Sequence, residues 1–259
     1  NEKRNGVRNL GAYSRHPNKA SDQFDIEFNL MFDYRTDATW ATMKLEFDNN
    51  MGLIGGTQSN ISLERAFMGF RMYEGDRFTI DFEMGRRKLG YTFDSRLQFA
   101  SFMDGLLVKY NHSADRFGDL YIYGGPFLVN EAKNQYAFVA EIGLLSIYNT
   151  GLYAKYDITD WDTKKFKWTL DKLRFQHVIH QFMLGYRFVP ARLEKVVIPY
   201  AAFLFNSAAK KLAILENRKD NYAWYIGTSV GEARKRGDWA FDTNFQWALP
   251  QAVPEFDFA

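Results

Sequence analysis

A chain of 259 residues is long enough for one large domain, and a formal net charge of +2 without a basic block argues against a nucleic-acid partner. It has no cysteine, which excludes disulfide frameworks and thiolate metal sites, and no stretch approaches the roughly 20 apolar residues that a membrane helix needs. Yet 17% of residues are aromatic and 25% charged at a mean hydropathy of −0.38, a mixture that an alternating strand satisfies by giving each class its own face.

The first predicted element, residues 23–35, sets Phe24, Ile26, Phe28, Leu30, Phe32 and Tyr34 against Asp25, Glu27, Asn29 and Asp33. Soluble strands cluster near about 5–6 residues and tilted membrane-spanning strands need about 9–11, so its length favours the membrane. Residues 39–48 follow, with Ala41, Met43, Leu45 and Phe47 against Thr42, Lys44, Glu46 and Asp48. A turn over Thr36-Asp37 would pair Asp33 with Trp40 and Asn29 with Lys44, so that polar faces coincide. Residues 65–73 place Ala66, Met68, Phe70 and Met72 opposite Arg65, Gly69 and Arg71; residues 77–87 place Phe78, Ile80, Phe82 and Met84 opposite Thr79, Asp81 and Glu83. A turn over residues 74–76 would set Arg71 diagonal to Asp81 and Gly69 beside it.

Residues 102–110, 118–124, 135–147, 151–158, 175–188, 196–205, 222–230 and 239–247 complete twelve predicted strands. Their connections alternate: short at 35–39, 73–77, 111–117, 148–150, 189–195 and 232–238, longer at 49–60, 88–101, 124–134, 158–174 and 206–221. Short periplasmic turns alternating with longer external loops are the signature of a transmembrane antiparallel β-barrel, and aromatics near strand ends (Tyr34, Trp40, Tyr73, Phe78, Tyr110, Phe117, Tyr148, Phe188, Trp239) fit an interfacial girdle. The expected fold is therefore all-β, one transmembrane barrel domain over residues 1–259. With short turns inside, both ends of the recognised set fall on the external side, so a strand is expected beyond each end and at least fourteen in the complete protein.

Several stretches resemble porins of intracellular Gram-negative bacteria: Phe32-Asp33-Tyr34-Arg35-Thr36-Asp37, Leu63-Glu64-Arg65-Ala66-Phe67, Gly85-Arg86-Arg87-Lys88-Leu89, Phe93-Asp94-Ser95-Arg96, Gly143-Leu144-Leu145, Asn149-Thr150-Gly151-Leu152-Tyr153, Leu184-Gly185-Tyr186-Arg187-Phe188 and Gln251-Ala252-Val253-Pro254-Glu255-Phe256-Asp257. The resemblance implies a barrel in the bacterial outer membrane that works as a pore.

On the inward face the pattern puts Asp25, Glu27, Asp33, Glu46, Asp81, Glu83, Asp157 and Asp242 with Lys44, Arg65, Arg71, Arg87, Lys155 and Arg187. So many charges in a dry core would cost several kcal/mol each, so the interior is expected to hold water or polar plug segments. Arg65, Arg71, Arg86 and Arg87, close together on one hairpin and facing Glu27, Glu46 and Glu83, would set a transverse field across a constriction. Alternatively these groups form ion-pair ladders between neighbouring strands that stiffen the wall.

Loop 88–101, with Leu89, Tyr91, Phe93, Leu97 and Phe99, is too apolar for a solvated tip; it folds into the interior or packs on a neighbouring subunit, and the loop carrying Met51, Leu53 and Ile54 invites the same two readings. His177 and His180 are three apart on a strand and point to opposite faces, so they cannot share a metal; His16 and His112 have no catalytic partner in the sequence. Residues 232–236 read as a solvated turn, and Lys164, Lys165, Lys167 and Lys172 could meet lipopolysaccharide phosphates. The expected function is passive diffusion of small hydrophilic solutes and ions, without cofactor, metal or catalysis, in a lipid bilayer with lipopolysaccharide, and analogy with porins suggests a homotrimer. A plugged structural or adhesive barrel is the alternative. A barrel lipase or protease would require a Ser-His or Asp-His pair within hydrogen-bond reach at the rim.

Overall fold

The computed structural model describes residues 2–4, 21–51, 59–130, 135–162, 176–211, 218–233 and 235–254, with side chains for these apart from 2–4, 21–27, 48–51, 59–60 and 130. Twelve long antiparallel strands make one sheet: β2 (Ser21–Arg35), β3 (Thr39–Met51), β4 (Ser59–Glu74), β5 (Phe78–Lys88), β6 (Phe102–Ser113), β7 (Asp119–Asn130), β8 (Gln135–Leu145), β9 (Leu152–Trp161), β10 (His177–Tyr186), β11 (Val197–Asn206), β12 (Tyr222–Gly231) and β13 (Ala240–Ala248). A three-residue strand β1 (Glu2–Arg4) pairs with β2. Each strand pairs only with its neighbours in sequence, and the sheet is not closed among the described residues.

The parity of the predicted strands holds, but both predicted registers shift. Thr36 and Thr39 bond across a turn over Asp37-Ala38, so Arg35 faces Trp40, Asp33 faces Thr42 and Asn29 faces Glu46. The two threonine hydroxyls, 2.8 Å apart, fix the turn one residue later than expected; the side-chain faces survive because the pairing slips by two. In the second hairpin a bulge at Met72 sets Arg71 directly opposite Asp81, not diagonal to it, and Gly69 opposite Glu83. A further bulge at Glu64 turns that carboxylate toward Lys44.

One predicted loop is strand. Gly124-Gly125-Pro126 reads as a break, yet β7 runs through it to Asn130, leaving 131–134 between β7 and β8. Proline lacks an N–H, and it sits where the β6–β7 register lapses between Gly105↔Phe127 and Val108↔Gly124, while β7 stays in register with β8 as far as Leu128↔Tyr136.

Burial alternates along the central strands, with the two faces inverted relative to a soluble sheet. Tyr136, Phe138, Ile142, Phe182, Leu184, Phe203 and Ile226 are exposed, whereas Glu141, Asp157, Gln181 and Asn206, on the opposite face, are 2% exposed or less. Phe28 is exposed and Asp81 buried, as the strand pattern requires. The buried face also holds an apolar core, in which Leu89, Phe93, Leu97 and Phe99 of the β5–β6 connection pack against Phe127, Val139, Ile179, Leu204 and Tyr225. That connection bonds side chains on β8 and β13 through residues only two apart, Asp94 and Arg96. A flat sheet would hold those strands about 24 Å apart, so the sheet curls around the loop.

Five inward glycines lie directly opposite an aromatic residue of the next strand: Gly69 and Trp40, Gly105 and Phe127, Gly143 and Tyr121, Gly185 and Tyr153, Gly227 and Tyr200. In each, a β-carbon would come within 2.3–2.7 Å of the aromatic side chain, so the missing methyl is the space in which the ring lies. We expect Gly69→Ala to lower stability by about 1–3 kcal/mol, because its methyl would meet the Trp40 indole at 2.5 Å and the Glu83 Cγ at 2.7 Å. Urea unfolding in lipid vesicles measures it, and an unchanged midpoint would show that the indole is free to move aside.

Candidate functional site: the inward face and its loop

Cross-strand register builds a continuous polar row: Arg71 on β4, Asp81 on β5, Lys109 on β6, Tyr123 on β7, Glu141 on β8, Asp157 on β9 and Gln181 on β10, each directly opposite the next. Arg71 Nε donates to Asp81 at 3.0 Å, and the Tyr123 hydroxyl donates to Asn111 at 2.7 Å. Glu141 and Asp157 face each other as like charges, an unfavourable pair by itself. The surroundings offset it: the Tyr121 hydroxyl donates to Glu141 at 2.6 Å, the Asp94 N–H donates to it at 3.1 Å, and Gln181 donates to Asp157.

Glu83 is the hub of the neighbouring row. It accepts from the Trp40 indole N–H at 2.8 Å, from Arg87, and from the Lys109 ammonium at 2.9 Å. The indole reaches it by lying over Gly69 on the intervening strand, so Trp40 belongs to the interior and not to the girdle expected of it. Tyr34, Tyr73, Phe117, Tyr148, Phe188 and Trp239 are exposed near strand ends.

The β5–β6 connection is tied down by charge as well as by its core. Lys155 bonds Asp94 at 2.7 Å, Ser95 donates to Gln181 at 2.7 Å, and Arg96 bonds Asp242 at 2.7 Å while the Arg96 carbonyl accepts from Gln246. Of the two fates open to loop 88–101 from its sequence, the structure shows packing on the inward face. The latch leaves an asymmetry: Glu141, Asp157, Gln181 and Leu204 on β8 to β11 are buried, whereas Asp33 is exposed and Lys44 and Glu46 half-buried.

The residues expected to line the interior divide into several groups. Arg71 is paired with Asp81 of the neighbouring strand, which is the ladder arrangement, whereas Arg87 is paired with Glu83 of its own strand. Lys44 bonds Glu64 and lies 3.7 Å from Glu46. Arg65 has its guanidinium over the Tyr91 ring, 4.6 Å from the centroid. Arg187 is exposed among the turns and bonds Glu232 at 3.3 Å. Arg86 departs from expectation: it lies on the outer face, bonded to Asp104 at 2.8 Å, because successive residues of a strand point to opposite sides and Arg87 already points in. Glu27 lies opposite Asp48 in the backbone register, but its side chain is outside those described, as are the side chains of Phe24 and Asp25. His16, the loop with Leu53 and Ile54, and the lysines at 164, 165, 167 and 172 also fall outside the described residues.

Asp94, Ser95, Arg96, Lys109, Tyr121, Glu141 and Gln181 were not singled out from the sequence as interior groups. Lys109, Glu141 and Gln181 alternate with apolar neighbours and were findable by parity; where Asp94, Ser95 and Arg96 dock depends on strands far along the chain. No cluster of His, Cys, Asp or Glu suited to a metal occurs among the described residues. No protein-family model matches the chain, and no curated protein matches it.

Proposed function

We propose that this chain forms a β-barrel in a bacterial outer membrane and passes small hydrophilic solutes and ions by diffusion, along an off-centre aqueous path between the latched loop and the wall of β2 to β5. Supporting this is the inversion of its faces: large apolar side chains stand exposed on one side of every central strand while carboxylates, arginines and amides are enclosed on the other. In water the exposed face would be a large aggregation liability; against hydrocarbon it is the favourable surface. The resemblance to porins of intracellular Gram-negative bacteria points the same way.

The interior ladders neutralise most of the charge on this path, so weak ion selectivity is expected. Purified full-length protein added to a planar lipid bilayer is expected to give discrete conductance steps, and their absence would rule the pore out. A plugged structural barrel is the second reading, favoured by Leu89, Phe93, Leu97 and Phe99, each 1% exposed or less, at the centre of the inward face. It predicts insertion into liposomes without solute-driven swelling.

A further inference from the structure

Three side chains from three strands or their ends meet on the apolar outer face, at the end of the sheet carrying the longer connections. The Tyr156 hydroxyl is 2.8 Å from His180 Nδ1, and His180 Nε2 is 3.1 Å from the hydroxyl of Ser207. The imidazole is held flat against the Phe205 ring, with centroids 4.6 Å apart and planes 13° apart, which fixes its edge toward the serine. Ser207 follows the last residue of β11, and its side chain is exposed. Its N–H and its hydroxyl both donate to the Val178 carbonyl, at 2.8 and 3.2 Å, so the hydroxyl proton must turn from that carbonyl to the imidazole before the serine can attack. None of these groups serves the inward face: His180 shares its side of β10 with Phe182 and Leu184, which are 51% and 54% exposed.

We propose that Ser207, His180 and Tyr156 form a second site, an acyl-ester hydrolase whose substrate is a membrane lipid that reaches it laterally from the bilayer. This rests on the membrane reading above. The depth fits: His180 is opposite Phe205, and Phe205 is opposite Tyr222, whose ring lies 5.2 Å from that of Trp247, so the histidine stands in a row of aromatic residues of the kind that settles at the headgroup boundary. The carbonyl esters of a phospholipid or acylated glycolipid lie at that boundary, just above the hydrocarbon. No cleft is required, because the bilayer itself presents the ester at this depth.

The chemistry balances without a cofactor. With His180 Nδ1–H donating to the Tyr156 oxygen, Nε2 is free to take the Ser207 proton as Oγ bonds to the acyl carbon. The carbonyl–alkoxy bond then breaks and the departing alkoxide takes that proton. Water, deprotonated by the same nitrogen, then attacks the acyl carbon; the acyl–Oγ bond breaks, the imidazolium returns its proton to Oγ, and a fatty acid leaves. The Ala208 N–H is engaged by Asn206 at 3.0 Å, so turnover is expected to be slow by about 10²–10³-fold relative to a site with a backbone oxyanion donor. Lys210 and Lys211, exposed just beyond the serine, offer cations to a lipid phosphate.

The test treats full-length protein in lipid–detergent micelles with a fluorescent long-chain fluorophosphonate, which traps an activated serine. Wild type is expected to label, Ser207→Ala not to label, and His180→Gln to label about 10²-fold less. Hydrolysis of a long-chain para-nitrophenyl ester is expected to follow the same order. A wild type that does not label, or labelling that survives Ser207→Ala, overturns the proposal. Bilayer conductance, recorded on the same preparations, is expected to be equal in wild type and Ser207→Ala; loss of conductance from both with labelling intact would refute the pore and leave the ester site standing.

Discussion

Excising residues 92–98 and closing the gap with a short Gly-Ser link is expected to raise single-channel conductance severalfold and to lower stability. Both effects have one cause. Phe93 and Leu97 are 1% exposed or less and form the centre of the core with Phe127, Val139, Ile179 and Leu204, so their removal exposes both sides of the contact. Each fully buried side chain of this size contributes about 1.5–3 kcal/mol, and the polar latch to Lys155, Gln181 and Asp242 is lost with them. The sheet should survive, because its hydrogen-bonded ladder does not pass through the loop. The double substitution Asp94→Ala with Arg96→Ala is the gentler version: it cuts the ion pairs to β9 and β13 and leaves the core residues in place, so noisier, partly wider channels are expected. Unchanged conductance in the excised protein would mean that the aqueous path does not run beside the loop, and would favour the plugged reading.

The second large effect is at Glu83. Replacing it with alanine removes the acceptor shared by Trp40, Arg87 and Lys109. Arg87, whose side chain is 4% exposed, would then be a buried cation without its carboxylate, and breaking one side of a buried pair costs about 3–5 kcal/mol. Trp40 reports on the same event, since its indole N–H loses its bond and its emission is expected to shift as the ring leaves Gly69. Substituting both Glu83 and Arg87 by apolar residues of similar size should recover much of the loss, because the penalty comes from the orphaned charge and not from the pair as such. Urea midpoints in lipid vesicles test the series. A double variant no more stable than Glu83→Ala would mean that Lys109 and Trp40, not Arg87, carry the dependence.

The interior also differs in kind from a set of charged walls facing one another across water. Sequence placed Arg71 and Arg87 inward and left open whether they meet acids across a passage or beside them. Their carboxylates prove to be neighbours, Asp81 directly opposite across one pair of strands and Glu83 four residues back on the same strand. Opposed charges on adjacent strands are held at hydrogen-bond distance by the ladder itself, whereas charges on opposite walls would have to find one another through solvent.

What the sequence by itself determined is the face of each residue. A strand has a period of two, so Phe28, Met68 and Phe82 are assigned to one side, and Asp33, Lys44, Asp81, Glu83 and Asp157 to the other, without knowledge of any partner. The same rule, applied strictly, would have separated Arg86 from Arg87. Only the tertiary structure decided which residues stand opposite, because register depends on where a turn closes and where a bulge falls. The threonine pair at Thr36 and Thr39 and the bulges at Glu64 and Met72 each moved it by local chemistry that the hydrophobic pattern does not carry. Likewise, the docking of Asp94, Ser95 and Arg96 on β8, β9, β10 and β13, and the meeting of Tyr156, His180 and Ser207, join residues distant in the chain. The loop contacts exist because the sheet curls, and the Tyr156–His180–Ser207 contact because β9, β10 and β11 pair in this register; both are properties of the assembled strands that no single strand encodes.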